Sequence, residues 1–168
     1  MKLGILLTKA YWAWRFWIYF EYKLDVHFQR PVISIPTLND MRVMIDCGAL
    51  FSVWTLSERQ LVEIGGIDQN HIVPFGGFGG KTQGNLYTLD LWLSEKSLLL
   101  QNLPIVVDNS ISLNCPLILS TTSFEGFEYK VNTRTKTFGI ETFDNQVVKL
   151  LAYRIKDNGS ITVYVHNE

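Results

Sequence analysis

The amino-acid sequence predicts a mainly β protein with one short helix and an aromatic-rich N-terminal extension that is either helix or strand. After residue 30, short apolar or alternating segments are separated by Gly, Pro, Asn and Asp, which is typical of strands joined by turns. One later segment, TLSERQLVEIGG at residues 55–66, has the pattern of a helix. The 168 residues, 47% of them hydrophobic, suffice for one domain with its own core.

Charge and cysteine content disfavour several classes of protein. Fifteen basic and sixteen acidic residues give a net charge of -1, which disfavours a nucleic-acid-binding protein. Cys47 and Cys115 lie far apart and the three histidines are scattered, so neither a disulfide framework nor a metal site is indicated. This cysteine usage is typical of a reducing compartment, and we expect a cytoplasmic protein.

The N-terminal segment LGILLTKAYWAWRFWIYF, residues 3–20, is almost continuously apolar and close in length to a membrane span of about 18 residues. Lys9 and Arg15 interrupt it, and a charge near the centre of a span costs about 3 kcal/mol. No small-residue cleavage site follows, which disfavours a signal peptide. We expect its aromatic rings to pack in a core or a subunit interface, with contact to a membrane surface as the less favoured alternative.

The first strands are predicted from alternation and from prolines. Strict alternation of apolar and polar residues from Phe20 to Gln29 predicts a half-buried strand. VISI, bracketed by Pro31 and Pro36, is followed by a TLND turn and then by MRVMID. These segments predict a hairpin whose second strand ends at Asp46.

Two local patterns predict the helix and the last hairpin. Thr55, with Glu58 three residues later, predicts a capping box, and Gly65 with Gly66 predicts the end of the helix. The sequence DNGS at residues 157–160 predicts a hairpin with a tight primed turn, because Asn-Gly readily takes positive φ angles.

The order of these segments resembles the retropepsin-like, or retroviral-type, aspartic protease family. An apolar strand ends in Asp-Cys-Gly-Ala, a short strand and helix follow, and then come the Gly-rich segment PFGGFGG and the closing segments LPIVV and CPLILS. The resemblance implies a closed β-barrel or sandwich over residues 31–140. Residues 1–30 would form an extension and a first strand, and residues 141–168 would add strands to the same domain or to a dimer interface.

The resemblance implies an aspartic endopeptidase that needs no metal or cofactor. It implies a homodimer, because each chain supplies one Asp-x-Gly loop and the site needs two. Asp46 and its copy would activate the water that hydrolyses a peptide or protein substrate. Glycines would let a hairpin, the flap, close over that substrate. The implied site comprises the catalytic Asp46, the active-site loop residues Cys47, Gly48 and Ala49, and the flap residues Phe75, Gly76, Gly77, Phe78, Gly79 and Gly80.

Two residues depart from the family's usual pattern. Cys47 stands where the hydroxyl of a Thr or Ser usually ties the two active-site loops together, and a thiol is a weak hydrogen-bond donor. Ser120 stands where a glycine usually lies behind the loop, and we expect its side chain to crowd Asp46. One alternative is therefore an inactive dimer of this fold that binds peptides. Another is an interaction or membrane-surface module dominated by the N-terminal segment.

Overall fold

The computed structural model describes residues 17–24, 31–77, 80–94, 98–111, 114–125, 127–142 and 148–166. As predicted, these residues are mainly β with one short helix. The strands are β1 (Trp17–Leu24), β2 (Pro31–Ile35), β3 (Met41–Asp46), β4 (Ser52–Trp54), β5 (Ile67–Gly77), β6 (Gly80–Ser94), β7 (Leu98–Val107), β8 (Leu117–Ser120), β9 (Phe127–Asn132), β10 (Thr137–Thr142), β11 (Val148–Ile155) and β12 (Ile161–Val165). The helix, α1, spans Glu58–Glu63.

The predicted hairpin that ends at Asp46 is confirmed. Strands β2 and β3 pair antiparallel, with Val32 opposite Met44 and Ile35 opposite Met41. The turn between them contains Asn39 and Asp40, both with positive φ, a conformation that Asn and Asp tolerate better than most residues. The last residue of β3 is Asp46.

The first strand starts earlier than its alternation predicts. Strand β1 begins at Trp17 rather than Phe20, because its first residues pair with β10, with Trp17 opposite Glu141. The predicted continuation over residues 25–30 lies outside the described residues, as do residues 1–16 and the proposed contact of that segment with a membrane surface. No helix in the described ranges is long and apolar enough to cross a membrane.

The helix forms where it was predicted, but the predicted capping residues are wrong. Ser57 is the N-cap: its hydroxyl accepts the Gln60 N–H at 3.3 Å, and Gln60 Oε1 accepts the Ser57 N–H at 3.2 Å. Thr55 is buried, and its hydroxyl donates to the carbonyl of Cys115 at 2.8 Å. The Thr55 hydroxyl is therefore committed to another segment, and the capping box starts two residues later.

Two glycines with positive φ end elements as expected. Gly65 follows the helix with a φ of 106°, and Gly159 lies between β11 and β12 with a φ of 85°. The predicted primed turn is wrong, because Asn158 does not take a positive φ. The Lys156 N–H donates to the carbonyl of Ser160 at 2.8 Å, so three residues fill the loop where a primed turn has two.

The sheet topology places β8 between two strands that are consecutive along the chain. The order is β12-β11-β7-β4-β8-β3-β2-β1-β10-β9, and β6 pairs with both β5 and β7. Strand β8 runs parallel to β3 and antiparallel to β4. Strand β11, which follows residue 140, pairs parallel with β7 and so joins the C-terminal hairpin to the same sheet.

Three clusters of buried apolar residues occur in the described ranges, and two of them are large. The larger of these two contains Trp54 and Leu61, together with residues of most of the strands. The other includes side chains of β4, β5, β6, β7, β8 and β12 and lies beside the cavity described below. Its buried members are Phe51, Val53, Val73, Leu86, Val106, Ile118, Ile161 and Val163.

Candidate active site

The site forms where the loop after β3 crosses the end of β8. Because β8 lies between β3 and β4, residues 47–51 must pass over β8 to connect the two strands. The parallel register pairs Asp46 with Ser120, so both strands end side by side under this loop. The topology therefore brings together residues 74 positions apart in the sequence, from Asp46 to Ser120.

The Asp46 carboxylate is held by its own loop. Its side chain is largely buried, with 8% of the residue exposed, and Oδ1 accepts the Gly48 N–H at 2.8 Å. This two-residue spacing is the usual Asx-turn, in which an aspartate caps the turn that it begins. A Cβ on Gly48 would lie 3.3 Å from Asp46 Oδ1, a tight contact, so glycine suits this position.

Ser120 fastens the loop to the end of β8. It is fully buried, and its hydroxyl donates to the carbonyl of Ala49 at 2.5 Å. The single hydroxyl proton is then used, so Thr122 Oγ1, at 2.9 Å, must be the donor to Ser120 Oγ. Ser52 Oγ also accepts the Ser120 N–H at 3.1 Å. The side chain expected to crowd Asp46 is instead accommodated by hydrogen bonds.

Asp46 lines a cavity of about 460 Å³. One side is formed by the loop after Asp46, and the other by Phe75 and Gly76 of β5, with the rings of Phe51 and Phe75 edge to face at 5.5 Å. Its lining residues are Asp46, Gly48, Ala49, Leu50, Phe51, Val53, Phe75, Gly76, Ile111, Ile118 and Ser160. Most of them are apolar, so a ligand here would be held largely by apolar contacts.

The structure brings together five of the predicted site residues: Asp46, Gly48, Ala49, Phe75 and Gly76 line one cavity.

Two other predicted residues, Cys47 and Gly80, are absent from the described lining. Cys47 is exposed, and Gly77 pairs with Gly80, which has a φ of 99° at the end of the β5–β6 hairpin. Phe78 and Gly79 lie outside the described residues. The Gly-rich segment is therefore a hairpin, and its first strand reaches the cavity.

Sequence reasoning missed several lining residues. Leu50, Phe51 and Val53 belong to the apolar run after Asp46 and could have been inferred from it. Ile118 belongs to the closing segment CPLILS and could have been inferred from the resemblance, whereas the sequence around Ile111 gives no such signal. Ser160 comes from a turn whose sequence indicates only a hairpin.

The chemistry available in one chain is that of a single carboxylate. Among the described lining residues, Asp46 is the one acidic side chain, and no lysine, arginine or histidine accompanies it. No group of three His, Cys, Asp or Glu side chains that could hold a metal ion occurs in the described ranges. A largely buried carboxylate that lines such a cavity can exchange a proton with a ligand or a water molecule. Comparison of the chain with protein-family models, curated proteins and solved structures gave no match.

Proposed function

We propose that this chain is one subunit of a homodimeric aspartic endopeptidase with a retropepsin-like β fold. The observation that carries the proposal is the position of Asp46, at the end of a strand, with its carboxylate held by Gly48 and facing an apolar cavity beneath β5. The placement of β8 between β3 and β4 supports the proposal, because the Asp46 loop must then cross the end of β8.

Peptide hydrolysis by carboxylates requires an acid and a base, and the described lining of the cavity contains one carboxylate, that of Asp46. Two copies of Asp46, brought to about 3 Å by a twofold axis, would share one proton because both cannot ionise comfortably. The ionised copy would deprotonate a water that attacks the peptide carbonyl. The protonated copy would donate to the developing oxyanion.

The β5–β6 hairpin supplies the flap in this proposal. Phe75 and Gly76 line the cavity, and a Cβ on Gly76 would meet nothing within 4 Å, so this part of β5 has open space beside it. An extended peptide in the groove would pair with such a strand through backbone hydrogen bonds. Closure of the hairpin tip would exclude water from the reacting groups.

The test is the loss of cleavage in Asp46→Asn. Pure protein is incubated with a diverse peptide mixture from acidic to neutral pH, and products are identified by mass spectrometry. The asparagine keeps the size and the Oδ1 acceptor but cannot exchange the proton. Cleavage should therefore fall by at least roughly 10² to 10⁴-fold, the usual contribution of acid–base catalysis.

Asp108→Asn is the matched control. Asp108 is buried to the same degree, with 7% exposed, and its Oδ1 accepts the Ser110 N–H two residues later at 3.1 Å. It does not line the cavity. Asp108→Asn should cleave like the wild type. Equal cleavage by wild type and Asp46→Asn would show that Asp46 is not catalytic.

The second candidate function is peptide binding without hydrolysis, and Cys47 is the observation that favours it. A thiol beside Asp46 is a poor substitute for a hydroxyl that would fix two loops together. Under this alternative, wild type and Asp46→Asn both retain extended peptides on a column, and neither cleaves them.

A further inference from the structure

The C-terminal hairpin, β11 and β12, lies against the strand that leads to the proposed flap. His71 Nε2 is 2.8 Å from the carbonyl of Gly159, which fixes the imidazole as the donor in this hydrogen bond. A Cβ on Gly159 would be 3.5 Å from Pro74 Cδ, so the backbone of the hairpin tip packs directly on β5.

A further contact anchors the same hairpin nearer the start of β5. The Tyr153 hydroxyl donates to Gln69 Oε1 at 3.0 Å. Gln69, His71 and Pro74 all precede Phe75, the first β5 residue that lines the cavity. The C-terminal hairpin therefore contacts β5 before its first cavity-lining residue, and Phe75 itself packs against the buried cluster that contains Ile161 and Val163 of β12.

Apolar packing joins this hairpin to residues that line the cavity. Ile161 and Val163 of β12 belong to the same buried cluster as Val53 and Ile118, which line the cavity. Because Ile161 and Val163 are buried in this close-packed cluster, β12 has little freedom to move relative to the cavity. The C-terminal hairpin is thus a fixed part of the cavity lining.

Ser160 is the residue through which this hairpin reaches the cavity. Its N–H donates to Asn158 Oδ1 at 3.0 Å, and its carbonyl accepts the Lys156 N–H at 2.8 Å, so its backbone is fixed by the turn. Within the part of the chain that the structure describes, its hydroxyl forms no hydrogen bond. Ser160 is the polar residue that this hairpin adds to a mostly apolar lining, and its hydroxyl is available to pair with a ligand.

We propose that Ser160 is a specificity-determining residue, whose hydroxyl hydrogen-bonds a polar side chain of the peptide held in the cavity. The identity of the occupant rests on the proposed function. A bound peptide would remove water from the Ser160 hydroxyl, and a buried hydroxyl without a partner is unfavourable. The substrate residue beside Ser160 is therefore one with a hydrogen-bonding group, in preference to an aliphatic residue of the same size.

The test compares the cleavage preferences of wild type and Ser160→Ala on the same peptide mixture. At one substrate position, the ratio of kcat/KM for hydrogen-bonding over aliphatic residues should fall by roughly tenfold in Ser160→Ala. Thr162→Ala is the control, because it removes a hydroxyl from an exposed position two residues along the same hairpin. It should keep the wild-type preference, and identical preferences at every position in Ser160→Ala would overturn the proposal.

A binding measurement separates this inference from the proposed catalysis. Asp46→Asn and the double variant Asp46→Asn/Ser160→Ala are immobilised, and the peptides that each retains are sequenced. A shift from hydrogen-bonding to aliphatic residues in the double variant supports the role of Ser160, even if wild type cleaves nothing. Retention of the same peptides by both variants, or of none by either, would overturn it.

Discussion

At the scale of single residues, two hydroxyls decide how the Asp46 loop is held. The Ser120 hydroxyl donates to the carbonyl of Ala49, and the Ser52 hydroxyl accepts the Ser120 N–H, so the loop is fastened at its middle and just after its end. From the sequence we expect the Ser120 side chain to crowd Asp46, because the retropepsin-like family, which this sequence resembles, usually has a glycine at this position. Hydrogen bonding reverses that expectation, since the Ala49 carbonyl lies within reach of the hydroxyl.

Replacing Ser120 should weaken the loop in a measurable way. Ser120→Ala removes the donor to Ala49, and the free energy of unfolding in urea should fall by about 1 to 2 kcal/mol. Ser120→Gly should cost a further 0.5 to 1 kcal/mol or so, because glycine gains more freedom in the unfolded chain. Both variants should also cleave peptides more slowly. A Ser120→Gly variant more active than wild type would mean that the side chain does crowd Asp46.

At the scale of elements, local patterns predicted which segments form strands and where the helix lies. Alternation predicted β1, two prolines and a TLND turn predicted β2 and β3, and two glycines predicted the end of α1. The helix cap was wrong because Thr55 has a tertiary partner, the carbonyl of Cys115. A local pattern cannot reveal that a hydroxyl is committed to a residue 60 positions away.

Some residues of the candidate site were also predicted from the sequence, and others were not. The position of Asp46 at a strand end was predicted from the residues, and the approach of Phe75 and Gly76 was implied by the family resemblance. Ser160 was not, because its place depends on the parallel pairing of β11 with β7, which brings the C-terminal hairpin beside β5. Parallel pairings join segments distant in sequence and have no local signature.

The hydrogen bond between the C-terminal hairpin and β5 predicts a local effect on amide hydrogen exchange. Tyr153→Phe removes the hydrogen bond to Gln69. The loss of a neutral hydrogen bond of about 1 kcal/mol should speed amide exchange in β5 by roughly fivefold. Mass spectrometry of deuterated peptides from residues 67–77 would measure it. Tyr164→Phe, on the neighbouring strand, should leave exchange there unchanged, and equal rates in all three proteins would mean that the contact does not brace β5.

At the scale of the whole molecule, the proposed chemistry requires two chains. The cavity of one chain contains a single carboxylate among the described lining residues. The same loop exposes Cys47, and Leu50 is 70% exposed. A twofold axis beside this loop would bring the two copies of Asp46 together and cover both of these side chains.

Replacing Cys47 tests that arrangement. Wild type should be a dimer by light scattering at micromolar concentration. Cys47→Thr should tighten it, because a hydroxyl both donates and accepts across the twofold axis whereas a thiol is a weak donor. Two such hydrogen bonds of about 1 kcal/mol each correspond to a dissociation constant roughly 10 to 30 times lower, measurable by analytical ultracentrifugation.

Cys47→Ala and mild oxidation complete the comparison. Alanine removes both the thiol and any hydroxyl, so Cys47→Ala should not tighten the dimer. Because a disulfide fixes its two residues in a narrow range of geometries, oxidised wild type should form a covalent dimer with reduced cleavage, whereas Cys47→Thr should not respond to oxidant. A strictly monomeric wild type, or a Cys47→Thr variant with lower activity than wild type, would show that this loop does not lie at a catalytic dimer centre.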